Sequence, residues 1–116
     1  MAGKMEWHKI AADAEELIFD SNNITVINCN NKQVCVARYN NQLFAFAYLC
    51  PHASGIMANG YIDPLGNVVC PIHRYKFSMA NGRNVSGEGY HLKTYPIEIR
   101  EDGVFMGMQK SGWLGF

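Results

Sequence analysis

An all-β fold is predicted by three features of the 116-residue sequence. β-Branched and aromatic residues come in short runs, Asn and Gly residues interrupt those runs at hairpin spacing, and helical periodicity never extends beyond one turn. Ile24-Thr25-Val26-Ile27 is β-branched throughout, Asn30-Asn31-Lys32 follows, and Val34-Cys35-Val36-Ala37-Arg38-Tyr39 resumes. Asn40-Asn41 then precedes a third run over 42–48. Three strands joined by two Asn-rich turns read as a meander, because Asn tolerates the positive φ that tight hairpin turns require. Near the C-terminus a run over 94–100, a Glu101-Asp102-Gly103 turn and a run over 104–108 predict another hairpin. The one expected helical turn spans 12–17, with Asp13 near its start.

The length fits a single domain over 1–116, and apolar residues at 48% are enough to build its core. Lys+Arg and Asp+Glu both number 10, which leaves no basic footprint for nucleic acid. The longest apolar stretch, around 43–50, is too short to cross a bilayer, so no membrane partner is expected. Met1-Ala2-Gly3-Lys4-Met5-Glu6-Trp7 lacks the apolar core of a secretory signal, which points to the cytoplasm. In a reducing compartment, cysteines set beside histidines read better as metal ligands than as disulfides.

Between the two groups of strands lies a different segment, roughly 49–90. It is rich in Gly, Pro, Asn and Ser and poor in long apolar runs. A structureless loop of that length is anomalous in a compact domain, so the segment is expected to be ordered by something other than an apolar core. It contains Cys50-Pro51-His52 and, further on, Cys70-Pro71-Ile72-His73. Each half pairs a thiolate with an imidazole at short spacing, so each reads as a loop that turns both side chains toward one point. Two cysteines and two histidines also suit zinc, but structural zinc fingers usually pair Cys with Cys and His with His.

The mixed order fits a binuclear site in which one iron takes two thiolates and the other two imidazoles. Cys50-x-His52 and Cys70-x-x-His73 resemble the Rieske motif in ligand type and local spacing. Asn59-Gly60-Tyr61-Ile62-Asp63, Tyr75-x-Phe77, Asn81-Gly82 and Leu92-Lys93-Thr94-Tyr95-Pro96-Ile97 extend the resemblance to stand-alone Rieske ferredoxins over about two thirds of the chain. The resemblance implies a β-sandwich with a small cluster-binding subdomain inserted at one end, and one [2Fe–2S] cluster per chain. Cys50 and Cys70 would bind the inner iron, His52 and His73 the outer one near the surface. It further implies an electron carrier between a flavin-dependent NAD(P)H reductase and a terminal oxygenase. Two other readings stay open: the small Rieske-like subunit of an assimilatory nitrite reductase, and a zinc-stabilised interaction module.

High-potential members of that family carry a disulfide between the two ligand loops, where this chain has Gly55 and Ile72. They also aim a Ser and a Tyr hydroxyl at the cluster sulfurs, where this chain has Tyr75 and Phe77. Fewer donors favour a potential in the lower part of the Rieske range of about −150 to +300 mV. After the second histidine those members have Gly, whereas Arg74 here predicts ordinary backbone and adds a charge beside the imidazoles.

The remaining candidates read as structural. Cys29 and Cys35 are expected to be buried thiols, able to pair across strands only under oxidation. Met106 and Met108 share one strand face and fill core. Arg74, Lys76 and Arg83 form a basic run beside the second loop, a candidate for partner steering. No catalytic site is expected. An oxygenase needs a second iron held by two more histidines and a carboxylate, and His8 and His91 lie apart without that spacing. A reductase needs a nucleotide fold, and no G-x-G-x-x-G follows a strand.

Overall fold

The computed structural model describes residues 5–109, arranged as ten strands in three sheets. β1 (Met5–Ala11), β9 (Ile97–Arg100) and β10 (Gly103–Gln109) form one sheet in the order β1-β10-β9. β2 (Ile24–Cys29), β3 (Lys32–Tyr39), β4 (Gln42–Ala47) and β8 (Thr94–Tyr95) form the second, in that order. β5 (Tyr61–Ile62), β6 (Asn67–Val69) and β7 (Lys76–Ser78) form the third. Every neighbouring pair is antiparallel.

The predicted meander is present, and its turn chemistry explains its register. Cys29 pairs with Lys32 and Tyr39 with Gln42, leaving two-residue loops. Asn30 and Asn31 have φ of 54° and 64°, Asn40 and Asn41 of 55° and 63°. Left-handed backbone at both loop positions is the type I′ geometry that matches strand twist. The helical turn is a 3-10 turn over Ala14–Glu16, with the Asp13 carboxylate accepting from the N–H groups of Glu15 and Glu16.

Two elements differ from expectation. β1 was not foreseen: Met5–Ala11 mixes polar and apolar residues without clean alternation, and its pairing to β10 is set by tertiary contact. The 94–100 run is two strands, since Pro96 lacks an amide hydrogen and the chain changes sheets there.

The central sheet is buried on both faces along β3, where Val34, Cys35, Val36 and Ala37 are all inaccessible. One face places Cys29, Val34, Val36, Ala45 and Tyr95 against Met106 and Met108, the core filling expected of those methionines. The other face places Ile24, Cys35, Ala37 and Phe46 against Met57, Val68, Phe77, Met79 and Leu92. The inserted segment therefore has apolar anchors of its own, contrary to the expectation that something other than an apolar core orders it. Those residues are scattered singly among turns, so no run revealed them.

Alternation also decides the fate of Cys29 and Cys35. They fall in cores on opposite faces of the sheet, so no cross-strand disulfide can join them. Burial raises the Cys29 thiol above its usual range and pushes the Cys35 thiol up to about 12, the Ala58 amide offsetting part of the latter. Between pH 9 and 12 the unfolded Cys35 loses its proton while the folded one keeps it. Its contribution is thus intact below pH 9 and declines as pH rises, by up to about 1.4 kcal/mol per pH unit. Urea melts over that window should show a flatter decline for Cys35→Ala than for the parent; equal slopes would refute the assignment.

Candidate metal centre

The two candidate loops are conformational twins. The Cys50 N–H donates to the Gly55 carbonyl (2.8 Å), and the Ser54 N–H to the Cys50 carbonyl (3.0 Å). Twenty residues on, the Cys70 N–H donates to the Tyr75 carbonyl (2.9 Å), and the Arg74 N–H to the Cys70 carbonyl (3.0 Å). Ser54 and Arg74 occupy the same left-handed place in each loop, with φ of 56° and 59°. The histidines are offset by one position within this shared frame, His52 opposite Ile72 and His73 opposite Ala53.

Arg74 thus corrects the expectation of ordinary backbone there. Closing a five-residue loop back on its cysteine demands a left-handed residue, and the chain meets that demand without glycine. Left-handed backbone is disfavoured by roughly 1–2 kcal/mol for a residue bearing Cβ. Arg74→Gly should therefore be tolerated within about 1 kcal/mol in thermal melts, strain relief offsetting the greater entropy of the unfolded chain. Arg74→Val, which resists positive φ more strongly, should cost more than 1 kcal/mol.

The twin loops meet face to face. Cys50 and Cys70 are buried at 2% and 1% exposure, whereas His52 is half-buried and His73 exposed. The two thiols belong to the same buried cluster. Burial raises the Cys70 thiol, the N–H groups of Ile72 and His73 offset part of that, and Cys50 raises it further. Two adjacent thiolates here would need a cation to hold them. On the outer side, His52 Nδ1 and His73 Nδ1 face each other at 3.5 Å, with ring centroids 5.0 Å apart.

The donors thus fall into a buried sulfur pair and an outer nitrogen pair. Among the described residues, no three His, Cys, Asp or Glu side chains surround a single ion position. That layout fits a binuclear group with one thiolate-held and one imidazole-held metal better than a four-ligand zinc ion. A Cβ built on Gly55 would lie 2.4 Å from Ile72 Cγ1, so packing of Ile72 on a bare glycine joins the loops.

The neighbouring positions are also settled. Phe77 is fully buried in the core, and Tyr75 lays its ring on His52 with centroids 4.2 Å apart. A third loop, 84–90, brings Tyr90 to 5.3 Å from His52. Of the basic run, Lys76 Nζ lies 4.0 Å from buried Asp63, the Arg83 backbone pairs with that of His91, and exposed Arg74 follows His73 in the chain. Burial by itself would raise Asp63, but the amides of Asn67 and Leu65 outweigh it and hold the carboxyl below its usual range. His8 lies on β1, 3.6 Å from Glu6. Among the described residues no helix is long and apolar enough to cross a membrane.

Comparison with known proteins agrees with this geometry. The naphthalene 1,2-dioxygenase system ferredoxin component of Pseudomonas putida is 26% identical over 96 residues, covering 82% of this chain and 88% of that one. A nitrite reductase [NAD(P)H] of Emericella nidulans is 28% identical over 85 residues, 66% of this chain but 8% of that protein. A chain in the solved complex of reduced oxygenase and oxidized ferredoxin of carbazole 1,9a-dioxygenase superposes with a TM-score of 0.73. It is 23% identical, covering 90% of this chain and 94% of that one. The sequence model of the Rieske-like [2Fe-2S] domain matches residues 6–106, nearly the whole described chain and both twin loops. The chain belongs to the Rieske-like [2Fe-2S] domain family.

Proposed function

We propose that this chain is a one-electron carrier whose cluster is held by Cys50 and Cys70 on the inner iron and by His52 and His73 on the outer iron. The observation that carries the reading is the pairing of two buried thiols with two outward imidazoles on twin loops. When bound, the [2Fe–2S] group takes up and releases a single electron. The protein's own residues supply the rest. Ile72 packs the loops together, Phe77, Met57 and Leu92 keep water from the sulfur side, and exposed His73 offers an edge to a partner.

The partners proposed are a flavin-dependent NAD(P)H reductase as donor and a terminal oxygenase as acceptor, in the cytoplasm. Ferredoxin components of oxygenase systems among the relatives support this reading, and it assigns the chain no bond chemistry of its own. The relation to nitrite reductase [NAD(P)H] favours a second reading, a small subunit of such an enzyme. Co-purification with a sirohaem-containing large subunit would select it.

The test is anaerobic purification, reduction, and EPR with voltammetry, followed by mixing with a flavoprotein reductase and a Rieske oxygenase. The expected result is a coloured protein with one cluster per chain, a Rieske-type EPR signal and a midpoint low in the family range. A colourless protein holding one zinc per chain would overturn it.

A further inference from the structure

The third loop is exposed, yet it is tied down by its own side chains. Asn84 Oδ1 accepts from the backbone N–H groups of Glu88 and Gly89, the latter at 2.9 Å. Its amide donates to the Lys76 carbonyl (3.1 Å), Ser86 Oγ (3.2 Å) and Glu88 Oε1 (2.9 Å). Ser86 Oγ accepts from the Lys76 N–H (2.9 Å) and donates to the same Glu88 oxygen. This knot fastens the loop to β7, the strand leading out of the second ligand loop. It fixes where Glu88 and Tyr90 stand.

Tyr90 stands on the His52 side. Tyr75 stacks on the His52 ring, Tyr90 tilts against it, and the two tyrosine rings lie 5.9 Å apart at 30°. Besides His52, His73 has Tyr75 at a looser 6.2 Å, and it is exposed. The hydrogen bonds from Ser86 and Asn84 hold the Glu88 carboxyl below its usual range, so it is ionised at neutral pH. Glu88 lies two residues before Tyr90 in this tied loop, and its charge adds to burial in raising the Tyr75 hydroxyl.

We propose that Asn84 is a positioning residue that holds Tyr90 against His52 and fixes Glu88 in the same loop. The clamped carboxylate then disfavours the added electron, and His73 is left as the imidazole that meets a partner. The inference rests on the ligand assignment above. Reduction makes the ligated group more negative, and a fixed negative charge nearby opposes that change.

The experiment compares midpoint potentials of the cluster-loaded parent, Glu88→Gln, Asn84→Ala and their double variant. Glu101→Gln in the β9–β10 turn is the control, and each variant's melting and EPR spectrum verify its fold. Glu88→Gln should raise the reduction equilibrium constant about threefold, which is ~28 mV at 59 mV per tenfold change. The shift should shrink in 1 M salt, be smaller in the Asn84→Ala background, and be absent in Glu101→Gln. A Glu88→Gln midpoint equal to the parent's, or a shift of the same size with and without Asn84, would overturn the proposal. Failure of the ligand assignment looks different: the parent itself is then colourless and gives no Rieske signal.

Discussion

His73→Ala should yield a protein that has lost its visible colour, its iron and its Rieske-type EPR signal, because an exposed position offers no other nitrogen to the outer metal. The structure limits how far the damage spreads. Met57, Val68, Phe77, Met79 and Leu92 are buried against the central sheet without help from the imidazoles. Hydrogen exchange should therefore rise in the two ligand loops and in 84–90, while the amides of Val68 and Phe77 stay protected. The second core, between the central sheet and β10, should be untouched. His73→Cys should keep iron and lower the midpoint, since a thiolate adds negative charge to the outer metal. An unchanged visible spectrum in His73→Ala would remove His73 from the ligand set.

How much of this was legible in the sequence depends on how local the determining physics is. Asn30-Asn31 and Asn40-Asn41 announced their turns because a left-handed pair is a property of two residues. Cys50, His52, Cys70 and His73 could be singled out because the Cys–His spacing in each loop is short, and the structure buries the two thiols in one cluster and sets the two imidazoles face to face. β1 was silent, since its place is decided by β10, nearly a hundred residues away. Arg74 misled because loop closure onto the Cys70 carbonyl overrides its own preference. Cys29 and Cys35 looked like strand neighbours until the register showed that they belong to opposite faces. The Asn84 knot and the Tyr75–His52–Tyr90 stack are long-range arrangements of common residues, and no spacing rule marks them.

The junction of the twin loops gives the second large effect. Since a Cβ on Gly55 would sit 2.4 Å from Ile72 Cγ1, the two Cβ positions lie no more than about 4 Å apart. That is within the span a disulfide bridges. Gly55→Cys combined with Ile72→Cys should therefore cross-link on mild oxidation, since replacing Ile72 removes its Cγ1 and Cδ1 contacts and leaves Cys70 Sγ at 3.1 Å as the tightest remaining neighbour. Closing a loop of that length restricts the unfolded chain by about 3 kcal/mol, or roughly 10 °C or more in melting temperature, reversed by reductant. Mass spectrometry of the folded, cluster-loaded protein reads the cross-link, and melts with and without reductant read its worth. Failure to cross-link in the folded protein would show that the loops do not meet at Gly55. A cross-link that forms without raising the melting temperature would show that the loops are already as constrained in the unfolded chain. The bare contact between Ile72 and Gly55 leaves this stabilisation unused.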